Sequence, residues 1–271
     1  MKVVILGYGN LGKIYADVFR KYKFVDDNEL YILNRTGNSS TGRANYFTPE
    51  SVPALEPDVV LLSVKPQDYN SIIDIACKLK GKHTVFMSVM AGITLSTLKQ
   101  TLNHEKIVRV MPNSPIEIEM GISGFTASKE LGFDELKKIE NLLSVTGRAI
   151  YFEDENMLNG VTALSGSGPA YFFYIVKNMI EAGKQMGFTE SMATILVKQT
   201  MAGALQLLND KNKNIDQLIS TVASKGGTTF AAFETFEAYK MDQALVNGLK
   251  NAEKRAEELS KIQENKVFST N

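Results

Sequence analysis

The chain has 271 residues, of which 44% are hydrophobic and 22% charged, the composition of a globular protein long enough for two domains. Its 30 basic and 30 acidic residues cancel, so no net charge favours nucleic acid or an anionic membrane as a partner. A single cysteine and two histidines exclude an internal disulfide and favour a cytoplasmic protein without a metal site.

The first residues follow a strand pattern at once, without the layout of a signal peptide. No apolar run approaches the roughly 18 residues that a membrane span needs. The first strand, predicted at residues 2–6, is nearly all apolar, which is typical of a buried parallel strand. It leads into Gly-Tyr-Gly-Asn-Leu-Gly at residues 7–12, and an amphipathic helix follows.

This glycine-rich turn between a strand and a helix predicts a dinucleotide site. We expect Gly7 to make the turn, Gly9 to let the backbone approach a pyrophosphate, and Gly12 to let the helix pack on the strand. A purely structural glycine-rich turn is the alternative. The cofactor-binding residues predicted here are Gly7, Gly9, Asn10, Leu11 and Gly12.

The second predicted strand, residues 30–33, ends at Asn34, Arg35 and Thr36. An NAD-specific site normally has an acid here that accepts from the ribose 2′-hydroxyl, and this chain has none. An arginine suits a 2′-phosphate instead, because its guanidinium offers a fork of charged donors. We therefore expect these three residues to bind the cofactor, with NADPH preferred and NADH possible. A solvated loop arginine is the alternative.

Three further strands are predicted at residues 58–64, 84–89 and 106–110, and each ends in a loop with proline or glycine. Ligands of open α/β sheets lie beyond the carboxyl ends of the strands, so these loops should line the nicotinamide end of the site. The cofactor-binding residues predicted from them are Val64, Lys65, Pro66, Ala91, Gly92 and Asn113. Two more strands and a helix complete a predicted Rossmann-type α/β domain over residues 1–152.

The apolar pattern then becomes helical, which predicts an all-α dimerisation domain over residues 153–271. The segment from Met192 to Leu208 is apolar on nearly every face, as buried helices are. A domain this small has few layers to bury such a helix, so we expect a homo-oligomer, at least a dimer, formed through the helical domain. A central helix within one bundle is the alternative. The last helix is predicted at residues 241–261, with a frayed polar tail after residue 262.

Two glycine-rich turns lie in the helical half. One is Ser-Gly-Ser-Gly-Pro-Ala at residues 165–170, and the other is Ser-Lys-Gly-Gly-Thr-Thr at residues 224–229. Each is typical of a tight turn that leads into a helix, where free N–H groups suit an anion. A plain helix start with small residues for packing is the alternative.

Over essentially its whole length, the chain resembles the pyrroline-5-carboxylate reductases. The resemblance rests on the first Gly-x-Gly turn, on both later glycine-rich turns, and on the segments at residues 64–66, 90–92 and 109–115. There are departures: Lys225 stands where many members have proline, and Met120 where many have glutamate.

The resemblance implies NAD(P)H-dependent reduction of the cyclic imine 1-pyrroline-5-carboxylate to L-proline by hydride transfer. It also implies dimers with interleaved helical domains, in which each site takes residues from two chains. The residues implied to bind the substrate carboxylate are Ser224, Gly226, Gly227 and Thr228. Thr229 would be catalytic, as the hydrogen-bond partner of the ring nitrogen; a hydroxyl that satisfies only its own backbone is the alternative.

Three other functions stay open. One is a related reductase that acts on another imine or on a β-hydroxyacid, which would need a catalytic lysine in the helical domain. Lys177 and Lys184 lie there, but with the spacing of a solvated helix face. The second is a non-catalytic NADP-binding paralogue, and the third is a structural dimerisation module. The intact glycine-rich turns argue against both of these.

Overall fold

The computed structural model describes residues 1–33, 44–209 and 214–269. The chain forms two compact units. The first comprises Met1–Ser167 and Ala252–Asn271, and the second Gly168–Asn251. The last part of the chain therefore belongs with the N-terminal sheet rather than with the helices that precede it. The domain boundary predicted after residue 152 stays a prediction.

The first unit is built on one sheet, whose eight strands among the described residues have the order β3-β2-β1-β4-β5-β6-β7-β8. All neighbouring pairs are parallel except β6 and β7, which are antiparallel. The strands are β1 (Val3–Leu6), β2 (Leu30–Leu33), β3 (Asn45–Phe47), β4 (Val59–Leu62), β5 (Val85–Ser88), β6 (Ile107–Pro112), β7 (Gly121–Ala127) and β8 (Gly147–Tyr151). The order reverses between β1 and β4, which is the topological switch point of a Rossmann-type sheet.

Helices follow most of the strands, and after β8 the described elements are all helical. They are α1 (Asn10–Lys21), α2 (Ile73–Lys78), α3 (Leu95–Leu102), α4 (Phe133–Ser144), α5 (Met157–Val161), α6 (Gly168–Gln185), α7 (Glu190–Leu208), α8 (Ile215–Val222), α9 (Thr228–Ala238) and α10 (Met241–Ser269). A π-helical turn, Thr162–Gly166, follows α5. Over the described ranges, no helix is long and apolar enough to cross a bilayer.

Both faces of the sheet are covered, which explains why its central strands are continuous apolar runs. On one face, Tyr15 and Phe19 of α1 pack with Leu142 of α4. On the other, Leu98 of α3 packs in one cluster with Val267 of α10. These two clusters are the core of the first unit.

The end of α10 is where the structure corrects the sequence. A frayed tail after residue 262 was the expectation, and it is wrong: α10 continues to Ser269. Val267 is only 3% exposed, and Phe268 packs against the same apolar cluster. Two apolar side chains that meet the sheet face are enough to order these turns, despite the charged residues before them.

The second unit buries almost none of its apolar side chains within this chain. Gly168 is the buried residue of α6, Ala193 and Val197 are those of α7, and the described residues of α8 and α9 include none. α6 and α7 do pack closely, since a Cβ built at Gly183 would lie 2.9 Å from the Cβ of Ala193. Large apolar side chains that stay exposed include Phe173, Tyr174, Met186, Ile195, Leu205 and Val222.

Candidate functional site

The turn between β1 and α1 requires glycine at its first position. Gly7 has a φ of +110°, and a Cβ built on it would lie 2.5 Å from the backbone nitrogen of Val64. The hydroxyl of Ser63 donates to the Gly7 carbonyl oxygen at 2.6 Å. The turn is therefore held directly on the residues that follow β4, at the switch point of the sheet.

The start of α1 has the features of an anion site. Gly9 is its N-cap, so no side chain caps the helix, and the first turn contains no acid. Nothing lies within 4 Å of a Cβ built at Gly9, whereas a Cβ at Gly12 would lie 2.0 Å from the Gly7 carbonyl oxygen. Gly12 thus serves packing, while Gly9 faces open space beside free N–H groups. A pyrophosphate fits this arrangement.

A cleft of about 360 Å³ opens at this turn. Of the predicted cofactor residues, Gly7, Gly9, Val64 and Lys65 line it. The cleft also has residues that the sequence analysis missed: Tyr8, Leu33, Ser63, Asp68 and Ile72. Ser63 lies inside the strand predicted at residues 58–64, whereas β4 ends at Leu62 and leaves Ser63 in the loop at the cleft. The predicted residues Asn34, Arg35 and Thr36 lie outside the described residues.

Tyr8 provides a neutral polar group at the cleft. Its ring packs edge-on against Tyr46, with 6.1 Å between ring centroids, and the Lys13 Nζ lies 5.8 Å from the Tyr8 centroid. Burial and a hydrogen bond to Tyr46 raise the pKa of Tyr8 to about 12. The Tyr8 hydroxyl therefore keeps its proton at physiological pH.

The other predicted cofactor residues do not line this cleft. Pro66 begins a 3₁₀ turn, and the side-chain oxygen of Asn113 accepts from the Ile122 N–H at 2.9 Å. Ala91 is exposed between the buried Met90 and Gly92. These residues follow β4, β5 and β6, at the edge of the sheet where Gly7 follows β1.

In the second unit, the Gly-Gly-Thr-Thr turn also forms an uncapped helix start. Gly227 is the N-cap of α9, no side chain caps the helix, and its first turn has no acid. Gly226 has a φ of +75°, and the Gly227 N–H donates to the Ser224 carbonyl oxygen at 2.9 Å. Thr228 is exposed and Thr229 half-buried. The turn thus brings the predicted substrate residues together around free N–H groups that suit a carboxylate.

The other glycine-rich turn contains an unusual backbone. Residues Thr162–Gly166 form a π-helical turn, and the buried Oγ of Ser165 has no hydrogen-bond partner. A Cβ built at Gly166 would lie 2.6 Å from the Cε of Met111. The turn is thus pressed onto the segment after residue 109. Single π-helical turns occur frequently at functional sites.

Comparison with known proteins identifies the family. A family model described as pyrroline-5-carboxylate reductase dimerisation matches residues 155–259, and one described as NADP oxidoreductase coenzyme F420-dependent matches residues 2–92. The pyrroline-5-carboxylate reductase of Aquifex aeolicus is 31% identical over 263 residues, which cover 96% of this chain and 97% of the relative. The chain belongs to the pyrroline-5-carboxylate reductase family.

Further members agree with this assignment. The pyrroline-5-carboxylate reductase of Pseudomonas aeruginosa is 34% identical over 206 residues, 76% of each chain. A solved structure of the Coxiella burnetii pyrroline-5-carboxylate reductase has a TM-score of 0.85 and 28% identity, and the match covers 95% of this chain and 98% of that one. The predictions of the family, of the Rossmann-type and helical fold class, and of a NAD(P)H-dependent oxidoreductase are confirmed.

Proposed function

We propose that this chain reduces 1-pyrroline-5-carboxylate to L-proline with NADPH. The observation that carries the proposal is the pair of uncapped, acid-free helix starts at Gly9 and Gly227 in one member of this family. One suits the pyrophosphate of a dinucleotide, and the other suits the carboxylate of a small substrate.

The residues around the first turn would hold the cofactor, which supplies a hydride to the imine carbon when it is bound. The N–H groups of Asn10, Leu11 and Gly12 would donate to the pyrophosphate, because the geometry of α1 leaves them without intrahelical acceptors. The loops after β4, β5 and β6 would exclude water from the nicotinamide ring. The residues proposed for this role are Val64, Lys65, Pro66, Ala91, Gly92 and Asn113.

The residues around the second turn would hold the substrate. The N–H groups at the start of α9 would donate to the carboxylate, helped by the positive end of the helix dipole. The hydroxyl of Ser224 would add a donor on the same side of the turn. Thr229 follows directly, so its hydroxyl would reach the ring nitrogen of a substrate anchored at this helix start.

The main experiment is an assay of NADPH oxidation at 340 nm with pyrroline-5-carboxylate. We expect absorbance to fall only when protein, NADPH and this substrate are all present, and a chelator to have no effect. NADPH binding without turnover would favour a non-catalytic paralogue. Turnover of a β-hydroxyacid with NADP⁺, and none of the imine, would favour the related reductase.

Arg35 and its neighbours Asn34 and Thr36 would select NADPH. The family model matched by residues 2–92 is described as an NADP oxidoreductase, which supports this proposal. In the same assay, kcat/KM with NADPH should exceed that with NADH at least about tenfold, since a charge-assisted hydrogen bond contributes about 1.5–3 kcal/mol. Equal values for the two cofactors would contradict the proposal.

Replacing Thr229 by valine tests the proposed catalytic hydroxyl, because valine keeps the volume. We expect kcat to fall by about tenfold to a hundredfold while KM changes little, as for a group that acts mainly in the transition state. Thr235→Val on the same helix is the control, since the Thr235 hydroxyl donates only to the Ala231 carbonyl, at 3.2 Å. A wild-type kcat in Thr229→Val would mean that the ring nitrogen takes its proton without this hydroxyl.

We also propose that the protein is a homo-oligomer, at least a dimer joined through its helical unit. The exposed apolar side chains of α6 and α7 support this. A cytoplasmic location is proposed from the presence of a single cysteine, and cell fractionation would test it. Recovery of the protein in an extracytoplasmic fraction would contradict that location.

A further inference from the structure

An ion pair between a buried arginine and a half-buried glutamate joins two segments of the first unit. Arg109 is in β6 and its side chain is only 7% exposed. Its Nη1 donates to the Oε1 of Glu155 at 2.7 Å. An arginine this deeply buried requires a partner for its charge, because an unpaired buried charge is strongly destabilising.

The same oxygen of Glu155 makes a second hydrogen bond. The backbone N–H of Leu95 donates to Oε1 at 2.8 Å. Leu95 is the first residue of α3, so this N–H has no acceptor within the helix. The hydroxyl of Thr94 caps the helix at a different group, the Thr97 N–H, at 3.1 Å. Glu155 therefore joins β6 to the start of α3.

The loop of residues 89–94 connects β5 to α3 and is held at two points. At the end near α3, Glu155 accepts from Leu95. In the middle, Gly92 packs on α10, since a Cβ built there would lie 3.4 Å from the Leu259 carbonyl oxygen. Ala91 is the exposed residue between buried Met90 and Gly92. These contacts thus fix the part of the loop that follows its exposed residue, Ala91.

The place of β5 in the sheet order puts the loop of residues 89–94 near the predicted cofactor site. It follows β5, which lies two strands from β1 in the sheet order. Neighbouring strands are about 4.8 Å apart, so the loop starts roughly 10 Å from the Gly7 turn along the sheet edge. β2, whose end is predicted to bind the adenosine ribose, lies on the opposite side of β1. A dinucleotide anchored at Gly9 would therefore extend its nicotinamide half toward residues 89–94.

We propose that Glu155 is a positioning residue for the nicotinamide half of the cofactor. It acts through the loop of residues 89–94, which it holds by accepting from Leu95, while Arg109 fixes its carboxylate. The inference rests on the proposed function, which places the cofactor at this edge of the sheet. It assigns no contact between Glu155 and the cofactor itself.

The test compares two ligands that differ only in the nicotinamide. Dissociation constants of NADPH and of 2′-phospho-ADP-ribose are measured by calorimetry on the full chain. The main variant is Arg109→Met with Glu155→Met, which removes both charges together and leaves no unpaired ion in the interior. We expect NADPH to bind about tenfold more weakly and 2′-phospho-ADP-ribose to bind within about twofold of wild type.

Two further variants make the result specific. Arg109→Met with Glu155→Gln keeps an oxygen for the Leu95 N–H and should restore most of the NADPH affinity. Lys99→Met with Glu130→Met removes the ion pairs that Lys99 forms with Glu130 at 2.8 Å and with the exposed Glu105 at 2.5 Å, near the other end of the same helix. These side chains are more exposed than Arg109 and Glu155, so neither constant should change.

The inference is overturned if the double-methionine variant binds NADPH as wild type does, or loses both ligands equally. If that variant does not fold, Glu155→Asp is measured in its place. The inference then requires NADPH binding to weaken more than 2′-phospho-ADP-ribose binding in this variant. Aspartate keeps the charge beside Arg109 but is one methylene too short to bridge both partners. Turnover of wild type with pyrroline-5-carboxylate is measured separately, so a failure of the proposed function is distinguishable from a failure of this inference.

Discussion

Replacing Gly7 by alanine is expected to destabilise the protein and to abolish NADPH binding. The backbone at Gly7 has a φ of +110°, a conformation that costs other residues of order 1–3 kcal/mol. The new Cβ would also lie 2.5 Å from the Val64 nitrogen and 2.6 Å from the Ser63 carbonyl carbon, both backbone atoms that cannot rotate away. Together these effects should lower the free energy of unfolding by at least about 3 kcal/mol. Calorimetric melting without ligand measures the loss, with an expected fall in Tm of about 6 °C or more.

The same substitution two residues later is the matched control. Gly9 has a φ of −81°, which alanine adopts without strain, and nothing lies within 4 Å of its added Cβ. Gly9→Ala should therefore cost less than about 1 kcal/mol of stability, the size of a changed N-cap. Its NADPH affinity should nevertheless fall at least about tenfold, because the methyl occupies the space proposed for the pyrophosphate. Wild-type affinity in Gly9→Ala would show that the pyrophosphate lies elsewhere.

The glycine-rich turn at residues 7–12 is a part of the site that the sequence alone could predict. Glycine spacing between a strand and a helix is a local pattern, and the roles predicted for Gly7 and Gly12 agree with their close backbone contacts. β1, β4 and β5 were also predictable, because a parallel strand covered on both faces is a short continuous apolar run. Strand β3 has only three residues, too few for a periodicity to indicate it.

Some residues of the site could not be predicted because their roles depend on contacts between segments that are distant in the sequence. Glu155 meets Arg109 and Leu95 across 46 and 60 residues of chain, and no local pattern marks such a partner. Tyr8 was visible inside the glycine motif, but its raised pKa comes first from burial and then from Tyr46 of β3, both of which depend on the folded chain. The end of α10 depends likewise on a sheet face that lies far away in sequence. The sequence motifs therefore predicted the glycine-rich turns. The side chains that hold neighbouring segments in place, such as Glu155, can be identified only from the folded structure.

Replacing Ile195 by glutamate is expected to separate the oligomer and remove activity. Ile195 lies in α7 and is 65% exposed in the single chain, among other exposed apolar side chains of the helical unit. Exposed apolar side chains in this number on one helical unit favour an interface, so we expect another subunit to cover them. A carboxylate buried there without a partner costs several kcal/mol per ion, and each 1.4 kcal/mol weakens association tenfold. Sedimentation at micromolar concentration should then show a monomer.

Loss of the oligomer should also lower the activity. The helices of the second unit bury almost none of their apolar side chains within one chain, so we expect a partner subunit to fix the position of the Gly227 turn. A displacement of about 1 Å at a substrate-binding turn can cost a hundredfold in rate, so kcat/KM is expected to fall by at least that factor. Phe133→Glu is the matched control, since Phe133 is 78% exposed in the first unit, at the start of α4. That variant should keep both the assembly and the rate. A fully active Ile195→Glu monomer would show instead that one chain holds a complete site and that its apolar helices serve another purpose.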